Sequence, residues 1–444
     1  MVPIRDLSDK VWKGFLRALS AMYSFLFVSE SDNSRQFELD GIRGWAALEV
    51  LVCHARYATH GDWDWNSVYY LMFADGTMCV NIFFILSGDA LSLTTTSSKG
   101  AKGVSPGVVL KRIPRLSGTV TIAALLIWMS YLLGLHHHKL LRTVYTAPWG
   151  WGPEGIEGYS LIDYLRFSWV GIYTGTSFDI NGSMHTMPTE LKGSILVFAF
   201  CVALQFLKFR AVAVFIAFCY TYSYFETNIA LFVYGVFLGE LRALGVFDFL
   251  HKHYYTRILV GLALICVLLA RLPPTREYFT WMTEFKIGYV GFDWTAYPMY
   301  LVTLYYSSKE VVGFCRNRVS RFLGDISFML YAVHHNIIAT FGCFLLFNLA
   351  PATVEGKFEV STKIWVALAV AVVAIIVATA AHQLEKRYLY WLDRASKLLM
   401  VSPSRPPTAD YQPISESKLV EVADVETGLT EGELQPPQVT ISVN

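Results

Sequence analysis

Arg43 and His54 are the pair from which chemistry is most readily argued. They stand eleven residues apart in an apolar stretch that opens Leu39-Asp40-Gly41-Ile42-Arg43-Gly44. On a helix that separation is about three turns plus roughly 20°, so the two share one stripe, with Ala47 and Val50 between them. Glu49 and Arg56 share another face. Ionisable side chains inside hydrocarbon-length segments are costly, and they mark function by default. A histidine can take a proton near neutral pH, which suits His54 to general-base work. A histidine that only hydrogen-bonds across helices is the other reading, and residue type alone does not choose between them.

Three further groups carry reactive or ligand-binding side chains. In Lys111-Arg112-Ile113-Pro114-Arg115 the two arginines, three apart, face the same way on a helix, and planar guanidinium forks suit phosphate. Ordinary basic decoration of a cytoplasmic helix end is the commoner account of such a pair. Asn181-Gly182-Ser183-Met184-His185-Thr186-Met187-Pro188-Thr189-Glu190 leads into another apolar run. There Glu190 either complements a helix start or balances a histidine, or grips a substrate hydroxyl. Tyr331-Ala332-Val333-His334-His335 offers two histidines about 100° apart on a helix, so at most one is expected to face a given cavity. His334 is the one chosen. The triplet His136-His137-His138 cannot converge well on one ion from a helix, and no metal site is expected.

The elements that must hold these residues are membrane helices. Of 444 residues 54% are apolar and 16% charged, and mean hydropathy is +0.42. An ordinary soluble protein has about a quarter charged. The net charge of +1 gives no basic field for nucleic acid. The seven cysteines mostly fall within apolar runs and show neither metal nor disulfide spacing.

A span needs roughly 20 apolar residues. Ten stretches meet this: 44–60, 77–93, 116–135, 190–207, 211–225, 229–244, 257–271, 289–307, 326–349 and 364–383. The fold expected is therefore an all-α integral membrane protein, about ten transmembrane helices in one bundle. Lys and Arg near the span ends place both termini in the cytoplasm.

Residues 1–38 read as a cytoplasmic segment whose apolar residues recur at helical spacing, as in a helix lying in the interface or packed on the body. Charges interrupt any signal-peptide core there. Residues 39–399 form the membrane domain, and 400–444 a disordered acidic cytoplasmic tail. The connection at about 136–189 is long for a loop and falls on the non-cytoplasmic side. Its aromatic residues, among them Trp149, Trp151, Tyr164, Trp169 and Tyr173, serve either as interface anchors or as stacking surfaces for a ligand.

Taken together and in order, Asp40-Gly41-Ile42-Arg43-Gly44 with His54, Phe83-Phe84-Ile85-Leu86-Ser87-Gly88, Arg112 with Arg115, Thr186-Met187-Pro188-Thr189-Glu190, and Leu323-Gly324 through Tyr331 and His334 resemble the acyltransferase-3 family of membrane acyltransferases. The likeness is to its fungal-type members and to the O-acetyltransferases that decorate polysaccharides, and it covers about residues 39–390. Asp89 departs from the commoner pattern, in which an apolar residue follows Ser-Gly. So does Met184-His185, where Trp-Ser or Trp-Thr often stands.

The resemblance implies transfer of an acyl group, most often acetyl, from acyl-CoA to a hydroxyl of a sugar or other small acceptor. Carried over by position, it assigns His54 to catalysis and Arg43, Arg112 and Arg115 to acyl-CoA. Glu190 and His334 join the catalytic candidates. Acyl-CoA is then a co-substrate, with no permanently bound cofactor. The partners are the acyl-CoA, a hydroxyl-bearing acceptor and the lipid bilayer, with no nucleic acid. Two other classes stay open: a transporter using the same ionisable residues as a solute path, and an acyl-CoA- or lipid-binding regulator without turnover. The plasma membrane and the endoplasmic reticulum are not distinguished.

Overall fold

The computed structural model describes residues 37–60, 75–96, 106–137, 158–176, 180–270, 286–287, 290–291, 297–349 and 360–399. The expected interfacial helix before residue 37, Trp149 and Trp151, and the acidic tail lie outside the described residues. The chain partitions at Ser396. Of the part beyond, only Lys397–Leu399 are described, as the last residues of a helix.

Helices α1 (Phe37–His60), α2 (Gly76–Thr96) and α3 (Pro106–Leu132) come first. A short α4 (Leu161–Arg166) runs through a π-turn at Phe167–Gly171. A 3₁₀ turn at Gly182–Thr186 leads into α5 (Met187–Leu204), followed by α6 (Arg210–Tyr224), α7 (Thr227–Ala243), α8 (Val246–Lys252) and α9 (Tyr254–Ala270). After a two-residue-per-strand antiparallel hairpin, Lys286–Ile287 with Val290–Gly291, come α10 (Tyr297–Ser307) and α11 (Lys309–Cys315). The chain ends in α12 (Arg318–Ile337), a π-turn at Ile338–Gly342, α13 (Cys343–Leu349) and α14 (Val360–Leu399).

This is an all-helical, multi-pass membrane protein. Among the described residues, by length and hydropathy, five helical stretches are long and apolar enough to cross a bilayer, at 76–93, 108–132, 182–204, 318–348 and 364–398. A sixth joins them if α7 and α8, bent by 60°, count as one span. Helices overlie all ten expected stretches, but that at 289–307 needs correcting. Its first residues include the hairpin, and the helix itself begins only at Tyr297. α1 falls outside the apolar set because it carries Glu38, Asp40, Arg43 and Glu49, which are the residues at issue.

Helix pairing follows from contacts of constant offset. α1 packs most extensively on α12, and the two run parallel: Gly44 meets Leu323–Gly324, and His54 meets His334. A Cβ on Gly41 would strike the Cys315 carbonyl, and one on Gly44 the Gly324 backbone. Small residues here let two backbones touch, as membrane helix pairs require. α3 and α14 run antiparallel, tied by Lys111–Asp393 and Thr119–Glu385.

The departure at Asp89 has a structural account. Fully buried, it accepts both arms of Arg242 (2.8 and 2.6 Å) and the Tyr306 hydroxyl (2.8 Å), joining α2, α7 and α10.

The long connection is less external than its composition suggests. Tyr164, Phe167 and Ile172 are fully buried, and the Tyr173 hydroxyl reaches Ser117 Oγ (3.0 Å) on α3. Those side chains are core, while Trp169 is exposed.

Candidate active site

α1 carries its two reactive residues to different places, each completed by other helices. At one end Arg43 lines a cavity of about 480 Å³ together with Arg112 and Arg115 of α3, Glu190 of α5, Tyr331 of α12 and His382 of α14. At the other, His54 meets His334 and His335 of α12.

In the cavity wall Arg112 donates to Glu190 Oε1 through Nη2 and, through Nε, to Ser194 Oγ (3.0 Å). Both ion-pair partners are largely buried, and Ser194 is held in turn by the Glu190 carbonyl (2.7 Å). The arrangement fixes the plane of the Arg112 fork. Glu190 is thus placed beside an arginine. Arg43 Nη1 lies 3.9 Å from Asp40 Oδ1, one turn away. Arg115 lies within the fields of Arg112 and Arg43 on one hand and of Glu385 and Asp40 on the other.

Tyr331 closes the inner end. Its hydroxyl donates to the Ser183 carbonyl (2.6 Å) and accepts from Thr186 (3.1 Å), and Asn181 Nδ2 donates to the Ala332 carbonyl (2.9 Å). The 3₁₀ turn before α5 is thereby sewn to α12, which explains why a polar run precedes that span.

Behind Tyr331 stand the histidines. His334, 1% exposed, has Nδ1 2.7 Å from the Tyr331 carbonyl oxygen. A carbonyl only accepts, so Nδ1 carries the proton and Nε2 presents a lone pair. His54 Nδ1 lies 2.7 Å from that Nε2 and is therefore the donor. The ring planes are 2° apart. Since 2.7 Å is shorter than the roughly 3.5 Å of stacked atoms, the rings meet edge to edge. In this tautomer the lone pair of the His54 ring is on Nε2.

His335 Nε2 is 3.1 Å from the same His54 Nδ1. His54 stands on the facing helix between the two adjacent histidines, within reach of both rings.

The three ring nitrogens lie within 4.8 Å of one another and could in principle ligate a metal ion. Tetrahedral zinc at 2.0–2.1 Å from each nitrogen sets donors roughly 3.3 Å apart. The 2.7 Å pair is tighter and fits one shared proton, so the site would have to open to accept an ion. Of the triplet at the end of α3, His136 turns to Ser130 and His137 to the Leu135 carbonyl, and they do not converge. His138 is outside the described residues.

Sequence reasoning passed over His382 and Glu385. They sit at the edge of the last apolar run beside Lys386 and Arg387, where they read as the end of a span. Their signal was the one-turn His-x-x-Glu spacing.

A family model described as an acyltransferase domain matches residues 36–382, taking in every residue named in the cavity wall and the histidine group. No match is found among curated proteins or among solved structures.

Proposed function

The chain belongs to the acyltransferase-3 family of membrane acyltransferases, and from that premise we propose that it moves an acyl group, acetyl in the first instance, from acyl-CoA to a hydroxyl of a sugar, polysaccharide or small-molecule acceptor. The observation that carries the reading is the alignment of a three-arginine cavity with a hydrogen-bonded histidine pair directly behind its inner wall.

Arg112 and Arg115 hold the phosphates of the CoA. Arg112 is preset for this by Glu190 and Ser194, so less ordering remains to be done on binding. Glu190 then acts through Arg112. The thioester arm runs past Arg43 toward Tyr331. His54 takes the hydroxyl proton at Nε2 as the acceptor oxygen bonds to the acyl carbon and the carbon–sulfur bond breaks. His334, anchored on the Tyr331 carbonyl, keeps His54 in the tautomer that presents Nε2. Positioning and general-base catalysis supply the acceleration, the latter typically about 10² to 10⁴.

In this scheme the chain crosses the membrane ten times with both termini in the cytoplasm. CoA enters from the Lys111 end of α3, and the acceptor approaches from the other side.

The test is release of free CoA from acetyl-CoA by purified protein, offered sugars, sterols and small alcohols as acceptors. Acceptor-dependent release in wild type, lost in His54→Ala and shifted to higher KM in Arg115→Ala, is the expected result. Failure to bind any acyl-CoA would sink the reading and put a transport role first.

A further inference from the structure

A histidine outside the His54 group reaches the cavity from α14. His382 and Glu385, one turn apart, are 9% and 6% exposed. Thr119 Oγ1 of α3 donates to Glu385 Oε1 (2.7 Å), and Glu385 Oε2 accepts from His382 Nδ1 (2.7 Å). The other ring nitrogen, Nε2, is buried and has no hydrogen-bond partner among the described residues, although His382 lines the cavity. Buried polar atoms are almost always paired, so an orphan in a cavity wall points to a group that is supplied from outside. Within hydrocarbon an ion pair is cheapest when its charges cancel. In either net-neutral form, carboxylate with imidazolium or carboxylic acid with neutral imidazole, Nδ1 is engaged by Glu385 and Nε2 carries a hydrogen directed away from it.

The depth of this atom says which part of a ligand it meets. Thr119, to which Glu385 is tied, lies one turn beyond Arg115, with its Oγ1 3.1 Å from that residue's carbonyl oxygen. Because α14 is antiparallel to α3, His382 lies a further turn inward, and its side chain leans toward the helix N-terminus, further still. It therefore sits between the arginines and Tyr331. A ligand with its phosphates on Arg112 and Arg115 brings its uncharged acyl end to this level.

We propose that His382, oriented by Glu385 and Thr119, is a catalytic residue whose Nε2–H bonds the thioester carbonyl oxygen and stabilises the negative charge that grows there on attack. This rests on the acyl-CoA reading above. The proton stays on His382 throughout: the acceptor's proton goes to His54, and the sulfur leaves with the electrons of the broken bond.

The experiment compares binding of acetyl-CoA with that of the S-ethyl thioether of CoA, which lacks the carbonyl, in wild type, His382→Phe and His382→Gln. The expected result is a roughly tenfold preference of wild type for the thioester, abolished in His382→Phe and partly kept in His382→Gln, which retains an N–H. Acetyl transfer should show kcat lower by about 10² in His382→Phe. A His382→Phe protein that is folded and keeps both the preference and kcat overturns the proposal and leaves the dyad a structural tie. If that variant does not fold, the same comparison is made on His382→Gln and on Glu385→Gln, and full retention of preference and kcat in both is equally fatal. Wild type that binds neither compound overturns the acyl-CoA reading itself, and this one with it.

Discussion

Arg112 and Glu190 pose the sharpest question about single residues, because in the proposed scheme one ion pair would serve both stability and ligand recognition. Removing one partner of a buried pair leaves an uncompensated charge and costs about 3–5 kcal/mol, whereas replacing both by apolar residues of similar volume costs far less. Glu190→Ala should therefore lower the melting temperature more than Arg112→Met with Glu190→Met, while both lose acyl-CoA affinity. A double variant that binds acyl-CoA like wild type would remove Arg112 from the site. His334 is separable from this. His334→Phe should bind acyl-CoA normally and lose kcat, by less than His54→Ala does, since His54 survives but no longer has its tautomer fixed. Equal kcat in His334→Phe and wild type would show that the His54–His334 bond has no catalytic consequence. These residues were legible in the sequence as types: arginines and histidines in apolar runs. Their partners were not. The contacts that decide their roles join positions 78 and 280 apart, Arg112 with Glu190 and His54 with His334. Local spacing carries no information about such pairs.

At the scale of elements, glycines and buried ion pairs set which helices touch. Gly44 is a point of close backbone approach between α1 and α12, and a side chain there must push the helices apart. Gly44→Leu should abolish transfer and lower thermal stability together, while Gly261→Ala, where a Cβ meets nothing within 4 Å, should change neither. The second tie is Asp89. Asp89→Ala strands Arg242 and Tyr306 and should destabilise by about 3–5 kcal/mol, with Asp89→Leu/Arg242→Leu recovering much of the loss in melting temperature. Most helices were visible as apolar runs of adequate length, for instance α7 at 229–244 in the sequence and Thr227–Ala243 in the structure. Where the run mixes polar and aromatic residues, as before Tyr297, periodicity does not separate helix from hairpin. The π-turn at Ile338–Gly342, one turn past the histidines, leaves no mark on hydropathy at all. The buried half of the long connection was hidden for the opposite reason: its tyrosines suit an interface as well as a core, so only their partners on α3 show where they lie.

For the whole molecule, the scheme makes a claim about sides. The cavity lies toward the Lys111 end of α3; Leu135 follows just beyond the far end of that helix, where Ser130 is joined to Asn336 beyond the histidines of α12. If acyl-CoA comes from the cytoplasm and the acceptor from across the membrane, the two ends of α3 must face different compartments. Val108, exposed and in the cavity wall, and Leu135, exposed beyond the other end, are the positions to mark. In a Cys266→Ser background, which removes the one fully exposed native thiol among the described residues, a cysteine at 108 should react with a membrane-impermeant maleimide only from the cytoplasmic face. Excess acetyl-CoA should slow that reaction. A cysteine at 135 should react only from the opposite face and be indifferent to acetyl-CoA. Labelling of both from one side would mean that α3 does not separate the two substrates. Protection at 135 instead of 108 would place CoA at the histidine end and reverse the direction of transfer.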